Sequence, residues 1–295
     1  MLPLNNFEWD NTVSLDTILS TSETSEVGYI VEVYLEYPDI LHDDHSDFPD
    51  APVKQQVDNR WLSEYQRKLC GEKPSNSKCT KLIQTLYRKE RYTLHYITLK
   101  LYISLGLQVS KVHRALKFTQ AKWLQPYIQL NTRKRKEAPN KCDQDFFKLI
   151  SNSTYQKLCE SKRNRVDLKL VRSEDSLLNE TQKHQLQSLK SIDESLVVVA
   201  KKPSKIYWDK PTIVGAVVLD LAKCFMFNFH YNVRKKNIKC KLLYSDADSL
   251  FYEIHCNDFY QEVARNSMLK TSSTFPTSTP NMNFTAQITK TRLSQ

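Results

Sequence analysis

The chain has 295 residues, 40% of them apolar and including 15 Tyr and 12 Phe, which excludes a disordered or low-complexity polymer and supplies a sizeable core. At that length two packed subdomains, or one large domain carrying an insertion, are expected. The formal charge of +10 favours a polyanionic partner, nucleic acid before others, and only 4 glycines argue against glycine-rich phosphate loops.

The seven cysteines (Cys70, Cys79, Cys142, Cys159, Cys224, Cys240 and Cys256) are odd in number and form no Cys-x-x-Cys pair. Reduced thiols in an intracellular protein are expected, with neither a disulfide frame nor a zinc site. The first residues lack the basic-then-apolar layout of a signal peptide. The longest apolar stretch, 213–229, is broken by Asp220 and Lys223, so neither a membrane span nor a membrane partner is expected.

In chain order, residues 1–27 are polar and rich in Ser and Thr, and read as a loop. Residues 28–38 alternate as a strand does and stop at Pro38. Residues 39–80, with His42, Asp43, Asp44, His45 and Asp47, read as an irregular excursion whose composition resembles a metal cluster but is more often a solvated loop. Apolar residues return at helical spacing over 81–104, with Gly106 placed as a C-terminal cap. A strand over 108–118 precedes a helix over 121–137 that ends in Arg133, Lys134, Arg135 and Lys136. After Pro139 and Asn140 a second helix is expected over 143–160, making a helical hairpin. Strands near 166–171 and 196–202 enclose a Ser/Glu/Gln-rich stretch. Pro211 starts a long apolar helix to about 237, in which Phe225, Phe227, Phe229 and Tyr231 are expected to pack in the core. Two further strands, 240–244 and 250–254, meet at a tip carrying Asp246 and Asp248. A short helix after 259 gives way to a Thr/Ser/Pro tail.

Two features carry chemistry. Asp246 and Asp248 read either as turn residues bonding their own backbone or as ligands of a cation that offsets their mutual repulsion. Lys148, Asn152 and Tyr155 stand at i, i+4 and i+7, on one face of a helix. An ammonium, an amide and a ring so placed suit a nucleotide's phosphate and its sugar or base, although a solvated lysine beside a half-buried tyrosine gives the same pattern.

"YSDADS" (244–249) resembles the Tyr-x-Asp-Thr-Asp-Ser motif C of family B DNA polymerases, and "KLISNSTYQ" (148–156) resembles their fingers motif, Lys-x-x-x-Asn-Ser-x-Tyr-Gly. Both occur in the family's order, and residues 1 to about 275 are similar to the polymerases of Polinton or Maverick transposons and related viruses. The resemblance implies an α+β fold: a polymerase palm with an antiparallel sheet and an inserted helical-hairpin fingers subdomain. The implied divisions are an N-terminal loop segment (1–27), a palm-associated insertion (28–119), fingers (120–163), palm with motif C (164–268) and a tail (269–295). It further implies a DNA-directed DNA polymerase of the protein-primed type, acting on DNA template and primer, deoxynucleoside triphosphates and a terminal priming protein, in a nucleus or a viral replication compartment. By motif position Asp248 and Asp246 become catalytic ligands of Mg²⁺, while Lys148, Asn152, Tyr155 and Lys136 contact the incoming nucleotide. Arg133, Lys134, Arg135, Tyr244 and Ser249 face nucleic acid.

The sequence also departs from the family. Gln156 replaces the fingers glycine, Gln144 a lysine, Ala247 the motif C threonine and Tyr34 an aspartate. No segment matches the family's motif A aspartate or its thumb, so an incomplete two-metal site and little polymerisation by this chain alone are expected. A non-catalytic nucleic-acid-binding remnant is the alternative, and an unrelated magnesium-dependent phosphotransferase needs only the Asp pair.

Overall fold

The structure, a computed structural model, describes residues 1–70, 80–163, 165–235, 239–246 and 249–255. It is a mixed α+β fold with antiparallel sheets. The chain forms two compact units, one of Met1–Leu149 with Val217–Gln295 and one of Ile150–Ala216.

In the first unit β1 (Leu2–Asp10), α1 (Leu15–Ser20) and β2 (Val27–Glu36) come first, then β3 (Val53–Gln55), α2 (Glu64–Cys70) and β4 (Lys81–Ile83). Next are β5 (Lys89–His95), α3 (Tyr96–Ser104), β6 (Gln108–Ala121), α4 (Gln125–Glu137) and α5 (Lys141–Leu158), whose last turns belong to the second unit. One antiparallel sheet has the order β1-β6-β2-β5, and β3 pairs with β4 alone. Its central strand β2 is rich in β-branched residues, and one face is apolar, with Val31, Val33 and Leu35 fully buried. The one acid in its middle, Glu32, is held by Arg114 at 2.6 Å and Arg91 at 3.6 Å. Gly28 is needed for closeness, because a Cβ there would lie 2.6 Å from a ring carbon of its cross-strand partner Phe118.

The second unit holds β7 (Asp167–Val171), α6 (Glu174–Thr181), β8 (Leu186–Asp193) and β9 (Leu196–Lys201), in sheet order β7-β9-β8. Glu180 ties it together, accepting from Lys169, Lys183 and Lys201 at 2.6–2.8 Å, which holds its carboxyl well below the usual range. Then α7 (Thr212–Asn228) passes back into the first unit and unwinds into a π turn at Phe229–Lys235, and β10 (Cys240–Asp246) and β11 (Ser249–Ile254) form the hairpin.

With its continuation to Asn232, α7 is long and apolar enough to cross a membrane. Met226 and Phe227 instead sit in the first unit's core, the Phe227 ring 4.6 Å from Phe48. Asp220, which breaks the apolar run, is a cap: its Oδ2 accepts the His95 backbone N–H at 2.6 Å, putting a carboxylate at the N-terminus of α3. Burial pushes that carboxyl up, and the His95 hydrogen bond partly offsets the effect.

Several elements differ from the sequence expectation. Residues 2–10 are a strand, not a loop: β1 is an exposed edge that pairs with β6 from Leu2↔Ala121 to Asp10↔Ala115. The helix expected over 81–104 is instead β4, a bend and β5 as far as His95, since pairing of β4 with β3 and of β5 with β2 overrides helical spacing there; only α3 is helical, closed by Gly106 at φ 105°. The stretch between β7 and β9 holds α6 and β8. The long apolar helix leaves α geometry at Phe229, which lets Phe229, His230 and Tyr231 all turn inward, beside buried Phe227. The helix expected after 259 and the tail 269–295 lie outside the described residues.

Candidate functional site

The hairpin places Asp246 at the end of β10, opposite Ser249 and exposed. Asp248, with Ala247, lies outside the described residues. Leu242 and Leu250 anchor the two strands in the core, and Tyr244 stays largely exposed with its ring 5.5 Å from Phe251. A register shift between Leu242 and Tyr244 leaves Leu243 as a bulge residue, which breaks the in–out alternation and turns Tyr244 outward.

Polar side chains under the hairpin fix its seat. Asp47 Oδ2 accepts the Leu242 backbone N–H at 3.4 Å, and Asp47 Oδ1 lies 3.6 Å from His230 Nε2. The other ring nitrogen of His230, Nδ1, is 3.0 Å from the Tyr252 hydroxyl in β11, with the two rings stacked at 6°. Beside it Tyr231 donates to the Phe48 carbonyl at 2.6 Å. Deeper still, the Tyr37 hydroxyl accepts the Asp50 N–H at 3.3 Å and lies 2.6 Å from His45 Nδ1, itself 3.3 Å from Asp50 Oδ2. Burial raises the Asp50 carboxyl, and His45 partly offsets this. The same burial raises the Tyr37 and Tyr231 phenols.

The His42–Asp47 stretch is therefore divided. Asp47 supports the hairpin, His45 is buried among Tyr37, Asp50 and Tyr231, and His42 Nε2 lies 3.3 Å from the Tyr37 carbonyl. Among the described residues no group of three or more His, Cys, Asp or Glu is placed to hold a metal ion. The Asp246 carboxylate is an oxygen donor of the type that magnesium takes when phosphates and water complete its shell. Asp246 suits that role as an exposed oxygen donor.

Lys148, Asn152 and Tyr155 all fall on α5, as spaced, with Asn152 exposed and the other two half-buried. Burial, followed by a hydrogen bond with Cys159, raises the Tyr155 phenol. Lys134, Arg135 and Lys136 occupy the last turn of α4, where cations meet the negative end of the helix. Arg133, Lys134 and Lys136 are exposed and have no carboxylate within ion-pair distance among the described residues; Lys134 lies 6.0 Å from the Phe147 ring of α5.

Sequence reasoning found Asp246 and the α5 face but not the supports Asp47, His230 and Tyr252. Their signal was present: a histidine between Phe229 and Tyr231 in an apolar run has to find polar partners when buried. No protein-family model, curated protein or solved structure matches this chain.

Proposed function

We propose that this chain is the palm and fingers portion of a DNA-directed DNA polymerase of the family B, protein-primed kind. The observation that carries it is a tight antiparallel hairpin delivering Asp246, with Asp248 two positions on, at the end of a strand whose other end is seated on buried side chains. In this reading the β1-β6-β2-β5 sheet and the hairpin are palm, and α4 with α5 is the fingers pair.

Asp246 and Asp248 would hold Mg²⁺, which when bound neutralises phosphate oxygens and polarises a primer 3′-hydroxyl. Lys148 presents an ammonium to the triphosphate, Asn152 an amide, and Tyr155 the flat face of a ring to sugar or base. Arg133, Lys134 and Lys136 offer point charges to the backbone of a strand. Binding without chemistry is the second reading, and those exposed, unpaired cations of α4 favour it.

Magnesium-dependent binding of a deoxynucleoside triphosphate, followed by calorimetry, separates the two. The polymerase reading expects affinity to fall about tenfold or more in Asp248→Ala and in Lys148→Ala, as loss of a charge-assisted contact to phosphate does. Primer extension, if seen, is expected to vanish in Asp248→Ala. DNA binding with no magnesium-dependent nucleotide binding would leave the second reading standing and sink the first.

A further inference from the structure

A cavity of about 600 Å³ opens beside the β3–β4 ribbon and β5, a volume in the range of small-molecule sites. Five cations line it (Lys54, Arg88, Lys89, Arg91 and Lys223), against two carboxylates, Glu90 and Asp220. Asp220 is committed to the His95 N–H, and Arg88 and Arg91 are answered by Glu36 at 3.1 Å and Glu32 at 3.6 Å. Lys54, Lys89 and Lys223 have no carboxylate within ion-pair distance among the described residues.

Lys89 is the unusual member. It is 2% exposed, and its ammonium donates to the carbonyl and hydroxyl of Thr85, leaving one of three N–H groups without a partner among the described residues. A buried cation without a counter-charge is costly, and an anion in the cavity removes that cost. At the mouth Trp61 and Tyr87, 42% and 62% exposed, set their rings 6.0 Å apart. Large exposed aromatic rings next to unpaired lysines are the pairing that stacks a base and holds its phosphate.

We infer that this cavity binds a nucleoside 5′-phosphate, its phosphate toward Lys89, Lys54 and Lys223 and its base against Trp61 and Tyr87. The occupant is either a free nucleotide or one unit of a single strand. The inference stands apart from the polymerase reading, since no lining residue belongs to the hairpin, α4 or α5.

Calorimetric titration of the full chain with deoxyadenosine 5′-monophosphate, deoxyadenosine and a short oligothymidylate tests it. Trp61→Ala and Lys54→Glu alter exposed side chains and leave the fold intact; Lys89→Met keeps the packing and removes the buried charge. Tighter binding of the monophosphate than of the nucleoside is expected, weakened about tenfold by Trp61→Ala, as one lost stacking ring predicts, and weakened also by Lys54→Glu and Lys89→Met. Asp248→Ala is expected to leave it unchanged, which separates this site from the hairpin. If only the oligonucleotide binds, and the same variants weaken it, the occupant is a strand. Equal affinity for nucleotide and nucleoside, together with no effect of the variants on the oligonucleotide, would overturn the inference.

Discussion

Lys89 ties stability to pH in a direction opposite to that of most paired lysines. Burial lowers its ammonium from the ordinary 10.5 to about 8. Below pH 8 both folded and unfolded chains carry the proton, so its cost is constant; between 8 and 10.5 the unfolded chain binds more protons, and stability rises with pH. Lys89→Met is therefore expected to stabilise the protein near neutral pH by about 1–2 kcal/mol, a figure reduced for water at the cavity mouth. That gain should shrink to nothing as pH approaches the ordinary lysine value. Urea unfolding of both proteins across this range checks the sign, and a gain that grows with pH would contradict it. Asp47 acts in the other sense. Replacing it by alanine strips the Leu242 N–H of its acceptor and removes the carboxylate 3.6 Å from the His230 ring, so Asp47→Ala should cost about 1–3 kcal/mol. The Leu242 amide should then exchange faster with solvent than its neighbours in the sheet.

Among the elements, α7 and the segment after α5 meet too closely for any residue but glycine at 215. A Cβ there would overlap Cys159 Sγ. In an open helix Gly→Ala gains about 1 kcal/mol, so the two effects compete. Overpacking of this kind costs about 1–3 kcal/mol, hence Gly215→Ala should destabilise while Gly215→Ala with Cys159→Ala should be at least as stable as the parent. Thermal unfolding of the single and double variants decides it, and a neutral single variant would mean that the contact relaxes freely. The elements also differ in how far the sequence announces them. Strand β2, the pair α4 and α5, and the two hairpin strands are legible because each carries its own period and its own breaker, Pro38, Pro139 or the aspartate tip. Strand β1 is not, because Leu4, Phe7 and Trp9 stay exposed and its hydrogen bonds come from β6. Strand β5 mimics a helix in spacing and is extended only because β2 is there to pair with it. The site divides likewise: Asp246 and Lys148 belong to local patterns, whereas Asp47, His230 and Tyr252 are brought together only by the fold.

For the molecule as a whole, a charge of +10 is informative only through where the unpaired cations lie. Many lysines and arginines are already answered: Glu180 alone takes three, Glu160 binds Arg165 and Lys157, and Glu32 takes Arg91 and Arg114. Among the described residues, exposed cations left over include Arg133, Lys134 and Lys136 on α4 and Lys54 at the cavity. Phosphate contacts release counterions, so their number sets the slope of log affinity against log salt, about 0.7 per contact for a single strand. Stacking releases none. Changing Arg133, Lys134 and Lys136 together to Gln should therefore flatten the salt dependence of single-strand binding by about two, three contacts at that slope. Trp61→Ala should lower affinity at every salt concentration and leave the slope where it was. Fluorescence anisotropy of a labelled oligothymidylate over a salt series reads both numbers at once. A slope that the α4 substitutions do not move would take those cations off the path of the strand, and would leave the lysines around the cavity as the better account of how a basic surface meets a polyanion.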